Sequence, residues 1–185
     1  PANTLAAGGF SVDNSCRFNK ADSAHMQKTL GSGNTDVFTI SMWVKRGVLG
    51  EQHLFRSYAA SDDFCACRFE GSNVLKFYQT SGGFNLTTNQ VGAWYHIMYS
   101  VDTGQGTAGN RVKLYVNGTR VTSFSTETQP DEDSNIAINT TNHVLYVGSD
   151  HAPSTYFDGY MAEVVFLDGT AAANTDLGEF DSDSP

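Results

Sequence analysis

The chain has 185 residues, enough for one domain that buries roughly 70% of the surface its unfolded form exposes, so it can fold without disulfide or metal staples. Eleven Lys and Arg face twenty Asp and Glu, a formal net charge of -9, and the cations are scattered rather than grouped into a stripe; that balance repels phosphate backbones and anionic lipids and argues against nucleic acid and membrane as partners. No apolar run approaches the ~20 residues of a membrane span, and the start, Pro1-Ala2-Asn3-Thr4, lacks the basic and apolar regions of a secretory signal, so no Sec-type routing is expected.

Helix signals are almost absent, whereas short alternating runs recur between clusters of Gly, Asn, Asp and Ser, which together predict an all-β sandwich or barrel. Strands are expected near residues 14–19, 24–30, 37–47, 51–58, 64–70, 73–80, 83–88, 93–102, 111–117, 119–124, 143–148 and 156–168. In "VFTISMWVKRG", Phe38, Ile40, Met42 and Val44 share one face and point to the core, with Trp43 and Lys45 opposite. Cys65 and Cys67 lie two apart in a strand, too far to bridge comfortably; with Cys16 they make an odd set read as free thiols, small apolar residues in or near the core, from synthesis in a reducing cytosol.

Further along, "WYHIMYSVD" sets Tyr95, Ile97, Tyr99 and Val101 against Trp94, His96, Met98 and Ser100; bulk on both faces marks a strand in the middle of a sheet. "RVKLYVNGTRV" reads as a hairpin: Val112, Leu114 and Val116 inward, Arg111, Lys113 and Tyr115 outward, and Asn117-Gly118 as the two-residue turn that needs positive φ. "FDGYMAEVVF" places Tyr160, Ala162, Val164 and Phe166 on one face and Met161, Glu163, Val165 and Leu167 on the other, with Gly159 allowing a close approach or a bulge. Loops fall at 102–110, 125–142 and 148–157; the second is long and polar and is the expected place for contacts. No internal repeat or second core divides the chain, so residues 1–185 form a single domain, with 174–185 as a polar, acidic tail leaving it.

The ordered run "RFNKADSAHMQKTL", "FTISMWVKRG", "WYHIMYSVDT", "RVKLYVNG" and "YFDGYMAEVVFLDGTA" falls within residues 15 to 180 and resembles the laminin-G-like and pentraxin-like jelly rolls of the concanavalin A-like lectin/glucanase superfamily. With "GEFDS" following, it looks like the domains found in structural and tail-fibre proteins of tailed bacteriophages. The resemblance implies an antiparallel two-sheet jelly roll on a virion surface, assembled in the bacterial cytoplasm. It implies other virion proteins as partners, a homo-oligomer for which a trimer is one arrangement, and a host surface glycan as ligand. A purely structural decoration protein without a ligand is the rival reading, and a glycoside hydrolase relative a third.

The hydrolase reading needs two carboxylates about 5 to 9 Å apart across the scissile bond. The Glu-x-Asp-x-x-Glu strand motif of the glucanase branch is absent, Glu163 stands alone and is expected to partner a buried Arg or a loop amide, and Asp131, Glu132 and Asp133 lie in a loop. No Gly-x-Ser-x-Gly elbow is present and no His sits in a recognisable catalytic setting, so the chain is read as non-enzymatic. Relatives of this fold often carry calcium; Asp150 and Asp158 are the candidate ligands, the 131–133 acids a second choice, and a solvated acidic loop with no ion the alternative. For a glycan, Tyr156, His151 and Asp150 in one loop, and Phe84 beside Asn85, offer rings for stacking and polar groups for hydroxyls, although Tyr156 could equally pack at the sandwich end.

Overall fold

A computed structural model describes residues 14–71, 74–80, 84–89, 94–152 and 155–178; the start Pro1–Thr4, the tail beyond 178 and the expected strand ends at 73, 83 and 93 lie outside the described residues. Along the chain come β1 (Cys16–Phe18), β2 (Met26–Thr29), β3 (Val37–Arg46), β4 (Gln52–Ala60), β5 (Asp63–Phe69), β6 (Val74–Gln79) and β7 (Asn85–Asn89). They are followed by β8 (Tyr95–Asp102), β9 (Val112–Val116), β10 (Thr119–Arg120), β11 (Thr126–Thr128), β12 (Val144–Val147) and β13 (Gly159–Asp168). Two antiparallel sheets result: six strands in the order β1-β13-β3-β8-β9-β10, and seven in the order β11-β7-β6-β5-β4-β12-β2. Of the sandwich and the barrel that the alternation allows, this is the sandwich, with the two antiparallel sheets of the jelly roll that the resemblance implies.

The core lies between the sheets. Phe38, Ile40, Met42 and Val44 of β3 are each at most 1% exposed, and Ile97, Tyr99 and Val101 of β8 meet them from the neighbouring strand. From the opposite sheet Phe77 projects to the centre, with ring centroids 4.6 Å from Phe84, 5.6 Å from Phe55 and 4.3 Å from Tyr99. Cys65 and Cys67 are fully buried free thiols in this core, and Cys67 Sγ donates to Tyr99 Oη at 3.5 Å, while Cys16 is exposed. Burial pushes the Cys67 thiol up to about 12, so it behaves as a small apolar group. The Asn117-Gly118 turn has φ of 48° and 71°, the primed geometry that matches strand twist, and Asn117 Oδ1 accepts from His96 N–H at 2.8 Å.

The outer face of the six-stranded sheet is closed by the chain itself. Thr39 Oγ1 donates to Thr170 O at 2.7 Å and accepts from Ala172 N–H at 2.8 Å; Asn174 Nδ2 donates to Gly118 O at 2.8 Å. Residues 170–174 therefore run back across β3 and reach the β9–β10 turn, so Asn174, the first residue of the expected tail, is held against the sheet. Beneath this strap Ser41, Met98 and Ser100 are buried, and Ser41 Oγ lies 2.7 Å from His96 Nε2.

Two expectations need correction. In β13 the pairing shifts between Ala162 and Val165, and Glu163 takes φ 48° there. The bulge inverts the alternation beyond it: Met161 pairs with Val44 and Phe166 with Ile40, so both face inward, while Glu163 and Val164 are exposed and no buried arginine receives the carboxylate. Gly159 sits before it in a close approach, where an added Cβ would lie 2.1 Å from Lys45 O. The 125–142 segment, expected as a free contact loop, contains β11 and then inserts Ile136 and Ile138 into the core at 1% and 0% exposure. A backbone bond from Ile136 N–H to Thr35 O, and one from Ala137 N–H to the Gln79 side-chain Oε1, pin this plug across the end of the sandwich.

Candidate functional site

The outer face of the seven-stranded sheet is built from the outward positions of β4, β5 and β6. The β4–β5 register slips between His53 and Phe55. This bulge admits Leu54 and Phe55 together to the core, both at 0% exposure, and brings His53 and Arg56, three residues apart, onto the same outer side. Cross-strand pairing then aligns His53 with Arg68 and Lys76, Arg56 with Ala66 and Tyr78, and Tyr58 with Phe64.

Rings and cations interleave on this face. The Arg56 guanidinium lies 3.8 Å from the Phe64 centroid and 5.1 Å from that of Tyr58; Arg68 and Lys76 lie 5.3 Å and 4.6 Å from Tyr78. Each cation also meets a carboxylate. Arg56 Nη1 pairs with Asp150 Oδ1 at 2.8 Å, Arg68 with Glu51 and Glu70 at 2.9 Å each, and Lys76 with Glu70 at 3.4 Å. Over one corner stands the loop after β12: His151 stacks on Tyr58 with centroids 3.7 Å apart and planes at 19°, and its Nδ1 lies 2.6 Å from Asp150 Oδ1.

Titration follows the environment. Burial pushes His53 down to about 4, with Asp150 acting the other way, so the ring is neutral near pH 7; its Nδ1 lies 2.8 Å from Thr155 Oγ1. Burial alone would raise Asp150, but hydrogen bonding from His151 and the neighbouring His53 and Arg56 more than offset it and hold the carboxyl below its ordinary value. Glu70 is likewise held low, by Arg68 and Lys76 against burial. An acid catalyst of glycoside hydrolysis needs a carboxyl raised above its ordinary value. These two are shifted the wrong way.

The corner carries an unusual cost. His53 Nε2, Arg56 Nε and Ser149 Oγ are all buried with no hydrogen-bond partner among the described residues. An unmet buried polar atom costs about 1–3 kcal/mol, and three of them fall at this one corner.

Of the residues singled out from the sequence, Asp150, His151 and Tyr156 gather here: Tyr156 lies 5.9 Å from His25, which also neighbours Tyr146 at 6.4 Å. Asn85 pairs with Tyr78 and so shares the outer face, at its β7 end, with Oδ1 accepting from Thr87 Oγ1. Phe84 must be withdrawn, because at 1% exposure its ring packs on Phe77 in the core and presents nothing to a sugar. Asp150 and Asp158 answer to different guanidinia, Asp158 to Arg17 at 3.1 Å, and among the described residues no three His, Cys, Asp or Glu gather as metal ligands. Glu132 of the second acidic group pairs with Arg111 at 3.1 Å.

Sequence reading missed Tyr58, Phe64, Tyr78, Arg56, Arg68 and Lys76. The signal was present as cation and ring two apart, in "RSY" and "KFY", on β4 and β6, the two strands that flank β5. One arrangement mimics a hydrolase: Ser57 Oγ lies 3.1 Å from His143 Nδ1, and His143 Nε2 lies 3.1 Å from Asp63 Oδ2. Ser57, however, pairs with the buried Cys65 and so faces the core between the sheets, not the outer surface where a substrate would arrive. The constellation ties β12 to the β4–β5 hairpin.

Comparison with known proteins places this architecture. The sequence profile of the Concanavalin A-like lectin/glucanases superfamily matches residues 19–174, and the chain belongs to that superfamily. No curated protein matches the chain significantly. Among solved structures, domain 4 of AbnA, a GH43 extracellular arabinanase from Geobacillus stearothermophilus in complex with arabinotriose, is 21% identical, with 84% of this chain and 72% of that one covered at a TM-score of 0.62. A heptameric SAP-like pentraxin from Limulus polyphemus is 13% identical (83% and 73% covered, TM-score 0.57). The CBM40 domain of the Ruminococcus gnavus IT-sialidase is 11% identical (89% and 96% covered, TM-score 0.55). At these identities the likeness shows the fold.

Proposed function

We propose that the domain is a non-catalytic glycan-binding module whose ligand lies on the outer face of the seven-stranded sheet. The observation that carries this is the array of Tyr58, Phe64 and Tyr78 interleaved with Arg56, Arg68 and Lys76, each cation oriented by a carboxylate. Rings supply stacking faces for the apolar side of a sugar, and planar groups locked by ion pairs read hydroxyls at little entropic cost. Two of the structural neighbours support it, one solved with arabinotriose and one a CBM40 domain.

The resemblance of the motif run to tailed-phage structural and fibre domains supports a setting on a virion surface, where repeated copies raise weak single-site affinity through effective concentration. The heptameric state of the pentraxin neighbour supports oligomerisation. A glycan array probed with the purified chain tests the binding reading, with Tyr78→Ala as the comparison: signal on a defined set of glycans, lost in the variant, is expected. Silence across the array, together with antibody labelling of intact particles, would instead favour a decoration protein with no ligand.

A further inference from the structure

We propose that the corner formed by His53, Arg56, Ser149 and Asp150 receives adjacent hydroxyls of an uncharged sugar, so that the module selects neutral over acidic glycans. This rests on the reading of the sheet face as glycan-binding and adds the class of ligand.

The first ground is the charge pattern. Arg56, Arg68 and Lys76 are matched by Asp150, Glu51 and Glu70, so among the described residues of β4, β5 and β6 no outward guanidinium or ammonium is left over for a ligand carboxylate. An acidic sugar would have to break an existing pair and bring its charge beside Asp150 or Glu70, which costs affinity. A chain of net charge -9 adds a further long-range repulsion.

The second ground is the set of unmet atoms. Val147 pairs with Phe55 and Gly148 N–H donates to Leu54 O, so Ser149 stands level with His53 at the edge of the same corner. Arg56 Nε–H offers a donor; Ser149 Oγ both donates and accepts; His53 Nε2 takes whichever role is left once Nδ1 has engaged Thr155 Oγ1. A hydroxyl also donates and accepts, whereas a carboxylate only accepts. The unmet set therefore complements a polyol, and a site built to hydrogen-bond hydroxyls discriminates strongly because its groups are left unpaired without them. His53 and Ser149 are 0% and 1% exposed, so entry asks the loop that carries Ser149, Asp150 and His151 to move off β4; the His151 ring then leaves Tyr58, whose vacated face meets the sugar ring.

The test uses the purified chain on an array carrying neutral oligosaccharides, arabinotriose among them, beside sialylated and uronate-containing ones, followed by calorimetric titration of the best ligand into variants. Neutral glycans are expected to bind at least tenfold more tightly than acidic ones. Ser149→Ala removes one unmet atom, so its melting temperature is expected to stay or rise while affinity for the neutral glycan falls about tenfold. Thr103→Ala removes an unmet buried hydroxyl elsewhere and is expected to leave affinity unchanged. Binding confined to acidic glycans, or neutral binding untouched by Ser149→Ala, overturns the proposal while the binding reading stands. No binding to either class overturns both.

Discussion

The two sheets present outer faces of opposite kind. On the six-stranded sheet the chain covers its own surface: residues 170–174 cross β3, and Thr39, Ser41, His96 and Asn174 all find partners within the molecule. On the seven-stranded sheet no such strap exists among the described residues. Rings and ion pairs there stand at partial exposure, and three buried polar atoms remain unmet. One outer face is covered by folding; the other stays open. The difference teaches that rings alone do not mark a binding surface in this sandwich, since both faces carry them; what sets the open face apart is three unmet polar atoms at one corner, whereas Arg46, Tyr95 and Thr103 leave one each elsewhere.

Removing the strap should have the largest effect. Truncation after Gly169 strips the partners of Thr39 and uncovers Met98 and Ser100, and a loss of about 3–5 kcal/mol in stability is expected from the exposed apolar area and the broken bonds. Glycan affinity of the fraction still folded should be unchanged, because the strap touches only the other face; denaturant unfolding and calorimetric titration check the two halves.

Acid should act on the opposite face, through His53. Its folded-state value of about 4 lies below the ordinary value of 6.5, so the unfolded chain binds more protons between those limits. The contribution is fully present above pH 6.5, declines as pH falls through that window, and is gone below about pH 4. The shift corresponds to roughly 3 kcal/mol, and a His53→Gln variant should show a flatter stability profile between pH 4 and 6.5. If wild type and variant share one profile, the buried imidazole is not what couples this face to pH.

A smaller change sharpens the contrast in binding. Tyr78→Ala removes a ring flanked by Arg68 and Lys76 at the surface of β6 and should weaken glycan binding by about 1–2 kcal/mol, while unfolding shifts by less than about 1 kcal/mol. Smallest, and on neither outer face, is Glu163→Gly. Glycine relieves a left-handed φ of 48° at the β13 bulge, and a gain of about 0.5–1 kcal/mol is expected with no effect on binding.

Much of the fold was legible in the sequence. Alternation in β3, β8 and β9 assigned the inward residues, and Asn117-Gly118 marked its turn, because a strand buried on one face leaves a period of two that local physics can read. What escaped depends on pairing register. The bulges at Leu54 and Glu163 interrupt the period without any glycine or proline at the site, so Met161 and Phe166 were assigned to opposite faces and the shared outward direction of His53 and Arg56 was hidden. Ile136 and Ile138 sit two apart in a polar stretch, a pattern of core insertion obscured by its surroundings. For the candidate site, Asp150, His151 and Tyr156 were singled out because loop residues with ring and carboxylate chemistry stand out; the sheet residues beside them were not, since each alone reads as an ordinary solvent-facing strand position. Phe84 was misplaced because the partners that bury it are distant in sequence.

The most direct measurement is amide chemical-shift mapping during titration of the isotope-labelled chain with the best oligosaccharide from the array. Perturbations concentrated at His53–Tyr58, Phe64–Arg68, Lys76–Tyr78 and residues 148–152 are expected, with Thr39, Ser41 and His96 silent. Perturbations centred on the strap and the β9–β10 turn, or none at any glycan concentration tested, would contradict the assignment of binding to the open sheet.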